Sequence, residues 1–284
     1  MFMSRTRQRT RSFLRFNIEQ SVLRKRWLII VPVVLFVAYI MGENMLVVAK
    51  NQGLSPNIWN PLFSILGNGG VIFLLINFLF LFLISDLPVE TGFGALLLFR
   101  LRSRSKWWLA KVLTLAVAAL VFAGMLLVFV GGVSSFAFPW STSWSQLARG
   151  YAGRIEPNPA VLVLSPSGAF LQLITLLVFG WFSLGLVTIV VSALVNNGII
   201  GFLVGAIINV GGYLGYKGYL PHYLDNVSIH THFLLDFHRF DTKVSMYPPF
   251  GASIIYWAVW IALFTTIGFL LCRKKDFLSE KDRS

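Results

Sequence analysis

Acidic residues are scarce: 11 Asp and Glu among 284 residues, against 24 Lys and Arg, with all charged types making up only 12% of the chain. A soluble domain carries about 25%, so the deficit excludes an ordinary water-facing surface. Cysteine is nearly missing as well. Cys272 stands alone, which excludes an internal disulfide, a cysteine metal cluster and a redox pair; at the end of an apolar run it reads as a small apolar residue. The chain contains no G-x-x-x-x-G-K-[ST] loop, no H-E-x-x-H and no G-x-S-x-G. It therefore does not itself bind ATP in a P-loop, and neither metalloprotease nor nucleophile-elbow chemistry is indicated. Carboxylates avoid the middle of the apolar runs, whereas a proton-driven carrier needs ionisable groups near mid-membrane.

Phe, Leu, Val, Ile and Gly take the place of the missing charge. Hydrophobic residues make up 56% of the chain, and the mean hydropathy is +0.74. Six stretches are long enough for a hydrocarbon core of about 30 Å, which takes about 20 helical residues: Trp27–Ala49, Gly67–Leu87, Trp108–Phe136, Gly168–Val195, Gly198–Tyr216 and Ala252–Cys272. None alternates polar with apolar as a barrel strand does, and lipid leaves no unpaired backbone group unpunished, so helices are predicted. The expectation is an all-α integral membrane protein of six transmembrane helices, residues 27–272. A basic segment, 1–26, precedes it and a basic tail, 273–284, follows.

The net charge of +13 suggests nucleic acid only until its placement is considered. Arg5, Arg7, Arg9, Arg11, Arg15, Arg24, Lys25 and Arg26 precede the first run. Arg100, Arg102, Arg104, Lys106 and Lys111 lie between the second and third, and Arg273, Lys274, Lys275, Lys281 and Arg283 follow the last. These eighteen of the 24 basic residues fall on one face of a six-span chain. The positive-inside rule makes that face cytoplasmic, with both termini there, in a bacterial inner membrane. Residues 12–26 read as an interfacial helix with a stripe of Leu14, Ile18 and Val22 toward lipid, and the first ten residues as a disordered basic tail.

Few polar residues enter the spans. Glu43, near the outer end of the first, faces either a cavity or the head-group level. Asn77 and Asn209, deep in the second and fifth, make either interhelical hydrogen bonds or contacts to a substrate. Gly201, Gly205, Asn209 and Gly212 form a small-residue stripe on the fifth, suited to close helix packing within one subunit or between two. Asn196-Asn197-Gly198 is a tight turn holding the fourth and fifth spans antiparallel. His222, His230, His232 and His238 share the last external loop with three aspartates. Their spacing matches no metal motif, so no metal is assigned, and the interleaved Phe and Leu suggest partial re-entry of this loop into the membrane.

The most informative stretch runs from Asp86 to Lys111. It is too polar for lipid, yet carries three consecutive leucines, and reads as a short amphipathic helix whose apolar face needs a partner. Glu90, Gly92, Leu96, Leu97, Leu98, Ser103, Arg104 and Lys111 fall in the register of an acidic residue, Gly-Thr, a leucine cluster, Pro-x-Ser-Arg and a following lysine. In this the chain resembles the permeases of the type 2 ABC transporter family. Phe93 stands where that family prefers Thr, and Leu101 where it prefers Pro. The resemblance implies a permease working as a dimer with an identical or similar copy, each half docked on a separate ABC ATPase that holds ATP and Mg; this chain is then not an enzyme and binds no cofactor. It implies a coupling helix between helices 2 and 3, with Glu90 and Arg100 to Arg104 contacting the ATPase and Leu96 to Leu98 filling its groove. The expected cargo is amphipathic: a peptide, a lipid or a hydrophobic drug. Two other classes remain: a peptide-immunity or sensory protein that binds ligand in its external loops, and an enzyme built on the histidine-rich loop.

Overall fold

In a computed structural model the protein is 80% helical, and no β-strand occurs among the described residues. Those residues are 2–88, 103–150, 155, 157–240 and 247–274, the side chains of 2–11 and 274 excepted. Most of the stretch expected to hold the coupling helix, including Glu90, Gly92, Leu96, Leu97, Leu98 and Arg100, lies outside them.

Helix α1 spans Phe2–Ser21, so helix replaces the disordered tail expected for the first ten residues. No glycine or proline interrupts this stretch, and its Arg, Gln and Met are good helix formers. Its buried side chains are Phe13 and Asn17, with Leu14 and Ile18 half-buried beside them. Val22, the last residue of the expected stripe, is buried as well, so the packed face includes that stripe and widens it by Phe13 and Asn17. A 3-10 turn, Lys25–Ile29, leads into α2, Ile30–Gln52. Pro32 sits in the first turn of α2, where its missing N–H costs nothing, and Gly53 ends the helix at φ 63°.

The second span departs from expectation. Instead of one helix from Gly67 to Leu87, α3 (Trp59–Leu66) and α4 (Gly69–Ile84) meet at a bend of 47°. Asn68, between two glycines, starts the second piece: its Oδ1 accepts the Val71 N–H at 3.1 Å. Seven of the eight α3 residues are buried, so this piece belongs to the packed body. Within α4, residues Ile72–Ile76 form a π-turn in which the Asn77 N–H reaches back to the Ile72 carbonyl.

The remaining long helices are α5 (Arg104–Ala137), α7 (Pro166–Val195), α8 (Gly198–Tyr216) and α10 (Phe250–Lys274). Short helices α6 (Gln146–Gly150) and α9 (Ile229–Phe233) lie in the connections. Among the described residues five helices are long and apolar enough to cross a membrane, or six if the bent α3–α4 pair counts as one crossing. Helix α7 is the hub: 67% of its apolar window is buried, against 22% for α2 and 11% for α10. A core that buries one apolar helix and leaves the outer ones exposed needs an apolar solvent around it. Trp181 of α7 packs edge-on to Phe122 of α5, with ring centroids 4.9 Å apart, and Phe122 in turn meets Phe80 of α4 at 5.2 Å.

Candidate functional site

The basic segments converge at one end of the bundle. Asp86, just beyond α4, pairs with Arg26 at 2.6 Å and with Arg24 at 3.6 Å. Both lie between α1 and α2, so the N-terminal segment is tied to the entrance of the 89–102 stretch. At its exit, Ser103 caps α5 by accepting the Lys106 N–H. Arg104 donates to the carbonyl of Arg273 at 3.0 Å, at the C-terminal end of α10, where a cation also meets the negative end of the helix dipole. Two turns further on, Lys111 is buried and donates to Asn17 Oδ1 of α1 at 2.6 Å, with the Trp107 ring beneath it.

The turn between α7 and α8 completes this end. Asn196 takes the left-handed conformation at φ 53°, and Asn197 Oδ1 accepts the N–H groups of Ile199 and Ile200. Gly198 lies so close to the end of α4 that a Cβ there would stand 2.8 Å from the Ser85 carbonyl and 3.2 Å from Asp86 Cα. Ser192 also donates to that carbonyl, at 3.1 Å. The flanks of residues 89–102 are thus joined to α1, to the start of α2, to the α7–α8 turn and to the end of α10.

These ion pairs are half-exposed, with Asp86 itself 43% accessible, and pairs of that kind contribute about 0–1 kcal/mol each. Asp86→Asn is therefore expected to lower the unfolding temperature by no more than about 3 °C, read from tryptophan fluorescence in detergent.

The small-residue stripe packs inside the subunit. A Cβ on Gly201 would overlap the Ser192 side chain and stand 2.6 Å from the Thr188 carbonyl of α7. On Gly205 it would meet the Thr188 hydroxyl, and on Gly212 it would stand 2.6 Å from Ile229 and 2.7 Å from Phe73. Asn209, the fourth member, donates to the Phe73 carbonyl at 2.6 Å; the π-turn leaves that carbonyl available by sending the Asn77 N–H to Ile72 instead. Asn77 donates to Asn209 Oδ1 at 2.7 Å and accepts from Trp181 Nε1 at 2.8 Å. All of these side chains are fully buried. Asn77 thus sits in a buried interhelical hydrogen-bond network. Glu43 is exposed on α2, between buried Gly42 and Met45. Neither the tie from Lys111 to Asn17 nor the acceptor role of Asn77 toward Trp181 was legible as a motif, since each joins single residues far apart in sequence.

At the opposite end of the bundle, the histidine-rich loop folds inward. His230, His232, His238 and Phe233 are buried, and Gly180 of α7 makes room for the Phe233 ring. His222 stays exposed and faces Asp225 at 3.2 Å. Among the described residues, no group of three or more His, Cys, Asp or Glu is arranged to hold a metal ion.

Fold and site together define a helical protein with five to six helices fit to cross a membrane and a basic end where four of its segments meet. The chain belongs to the family of proteins of unknown function DUF2705, whose model matches residues 63–278. No curated protein and no solved structure matches it.

Proposed function

We propose that the chain is the membrane-spanning permease subunit of an ATP-driven ABC exporter, working as a dimer with a second copy or a similar permease and powered by separate ATPase subunits. On this reading six crossings, with α3–α4 as the second, place both termini and the basic end in the cytoplasm of a bacterial cell. The observation that carries the reading is how residues 89–102 are anchored. A push on that segment is delivered through Asp86 to Arg24 and Arg26, through Ser85 to the α7–α8 turn, and through Arg104 to the end of α10. Force applied at this one connection thus reaches helices along most of the chain, which is what a motor acting on a gate needs. The acidic residue, leucine triplet and Ser-Arg within 90–104 supply the polar and apolar contacts of such a docking element. The acid-poor apolar spans suit an amphipathic cargo. The inward-folded histidine loop, with His230, His232 and Phe233 buried, favours transport over a ligand sensor that keeps its outer loops open.

The test is co-purification of the chain with the ABC ATPases of the same cell, followed by ATPase activity in nanodiscs. Glu90→Ala with Leu97→Asp is expected to abolish co-purification and the permease-dependent change in ATP hydrolysis, while the unfolding temperature stays within about 2 °C of wild type, as for surface substitutions. Retention of binding and coupling by that double variant refutes the docking role of this segment.

A further inference from the structure

From the hydrogen-bond geometry we infer that His232, Ser253 and His238 form a site for a single proton, shared between the two imidazoles through the serine hydroxyl. It clamps the histidine loop to the first turn of α10. The inference stands apart from the transport reading, which uses only the burial of His232 and gives neither Ser253 nor His238 a role.

Four contacts define the site. His232 Nε2 lies 2.9 Å from the Asn226 carbonyl, and His238 Nδ1 lies 3.0 Å from the Leu234 carbonyl. The other nitrogen of each ring, His232 Nδ1 and His238 Nε2, lies 2.7 Å from Ser253 Oγ. Carbonyls only accept, so each ring spends its one neutral-state proton on a carbonyl and presents a bare lone pair to the serine. Ser253 has one proton and can donate to only one of them. In the neutral state the second nitrogen therefore faces the hydroxyl oxygen with no hydrogen between. Turning either tautomer over only moves the mismatch to a carbonyl. One added proton removes it: one ring then donates to Ser253 Oγ while the hydroxyl donates to the other, and all four contacts are filled. A second added proton turns the hydroxyl hydrogen away from both rings and places two cations on either side of one oxygen, so the pair titrates in two widely separated steps.

The surroundings contain little to compete. On the loop itself, Asp225 faces His222 and the neighbourhood of His230, Asp236 accepts the Asn158 N–H, and Arg239 follows His238. His230 is held by Ser228 and Thr231. From α10, Tyr256 stacks on the His232 ring at 3.7 Å, and its hydroxyl donates to Val227. From α8, Tyr213 and Tyr216 carry Lys217 over their rings. Helix α7 has no titratable side chain. Asp241 and Lys243 lie outside the described residues. Ser253 is the side chain that both rings face, and it accommodates the charge.

Burial opposes the proton. It lowers His232 and brings His238 down to about 4. Both rings thus bind protons more weakly in the folded loop than in an opened one, so the stability they contribute is complete above the ordinary histidine value of about 6.5 and declines as pH falls from there toward 4. Proton sharing through Ser253 limits that decline.

The experiment is ¹⁵N NMR of histidine-labelled full-length protein in lipid nanodiscs, titrated from pH 8 to pH 4. At pH 8 His232 is expected as the Nε2–H tautomer and His238 as the Nδ1–H tautomer. Acidification should then add one proton equivalent distributed over both rings before any second. Ser253→Ala should weaken this first uptake by about tenfold, or one pKa unit, and Ser253→Thr should restore it. Two rings titrating independently, or a first uptake unchanged in Ser253→Ala, overturns the inference. Hydrogen exchange at Ile229–Phe233 provides the structural control: the alanine variant should lose some protection already at pH 8, where the hydroxyl's hydrogen bond to one ring is gone, and fall progressively further behind wild type on acidification. Equal loss of protection at every pH would mean Ser253 is merely a packing residue.

Discussion

Gly201→Leu is expected to lower the unfolding temperature of the protein by roughly 5–10 °C, with a matching fall in the yield of folded material. Overpacking a core costs about 1–3 kcal/mol when side chains can shift, and each 1 kcal/mol is worth about 2–4 °C in a chain somewhat smaller than this one. Here the obstacle is partly backbone. Even a methyl at position 201 stands 2.6 Å from the Thr188 carbonyl, besides overlapping Ser192. A leucine forces α8 off α7, and the Asn196–Asn197 turn joining them is too short to let α8 settle elsewhere. The separation also removes the Ser192 bond to the end of α4, so the damage reaches the anchor of residues 89–102. Gly211, on the same helix, has nothing within 4 Å of an added Cβ, and Gly211→Leu should leave the unfolding temperature within about 2 °C of wild type. Equal losses from the two substitutions would show that the penalty comes from helix propensity or lipid exposure rather than from the α7–α8 contact.

That contact also shows what a single sequence makes legible. Glycines at four-residue spacing announce a close approach by their own chemistry, so the stripe on α8 could be read directly. Its partner could not. Thr188 and Ser192 are unremarkable in an apolar run, and only the folded chain sets them opposite Gly201 and Gly205. The same distinction explains the second span. The run Gly67–Leu87 satisfies the length requirement alone, which hid the contribution of α3. The signal for the bend was nonetheless present: Asn68 between two glycines is a helix stop followed by a helix start. At the N-terminus, charge density suggested a solvated tail, while uninterrupted helix propensity carried α1 back to Phe2. The polar ties are the least legible of all. Asp86 with Arg26, Lys111 with Asn17, and Ser253 with its two histidines join residues by geometry, and no local pattern marks them. Charge placement, by contrast, was informative because it is a property of segments: Arg104 at the start of α5 does meet Arg273 at the end of α10.

The buried asparagine pair carries the other large effect. Asn77→Leu keeps the number and branching of the side-chain heavy atoms and is expected to lower the unfolding temperature by about 5–10 °C. The substitution strands two buried groups at once: the Trp181 indole N–H loses its acceptor, and Asn209 Oδ1 loses its donor. An orphaned buried polar group costs about 1–3 kcal/mol, more than the roughly 0.6–1 kcal/mol that an intact interhelical bond in lipid contributes. Asn209→Leu should behave alike, since it strands Asn77 Nδ2 and the Phe73 carbonyl that the π-turn leaves to it. The double variant should cost less than the sum of the two by about 1 kcal/mol, because each single change already strands a group of the other residue. The result bears on the proposed transport role as well. If Asn77 works by tying α4 to α7 and α8, its substitutions reduce export in proportion to the folded protein lost and leave cargo preference unchanged. A variant that keeps wild-type stability but exports a different set of cargoes would show that Asn77 faces a pathway, and would take the network out of the packing role given to it.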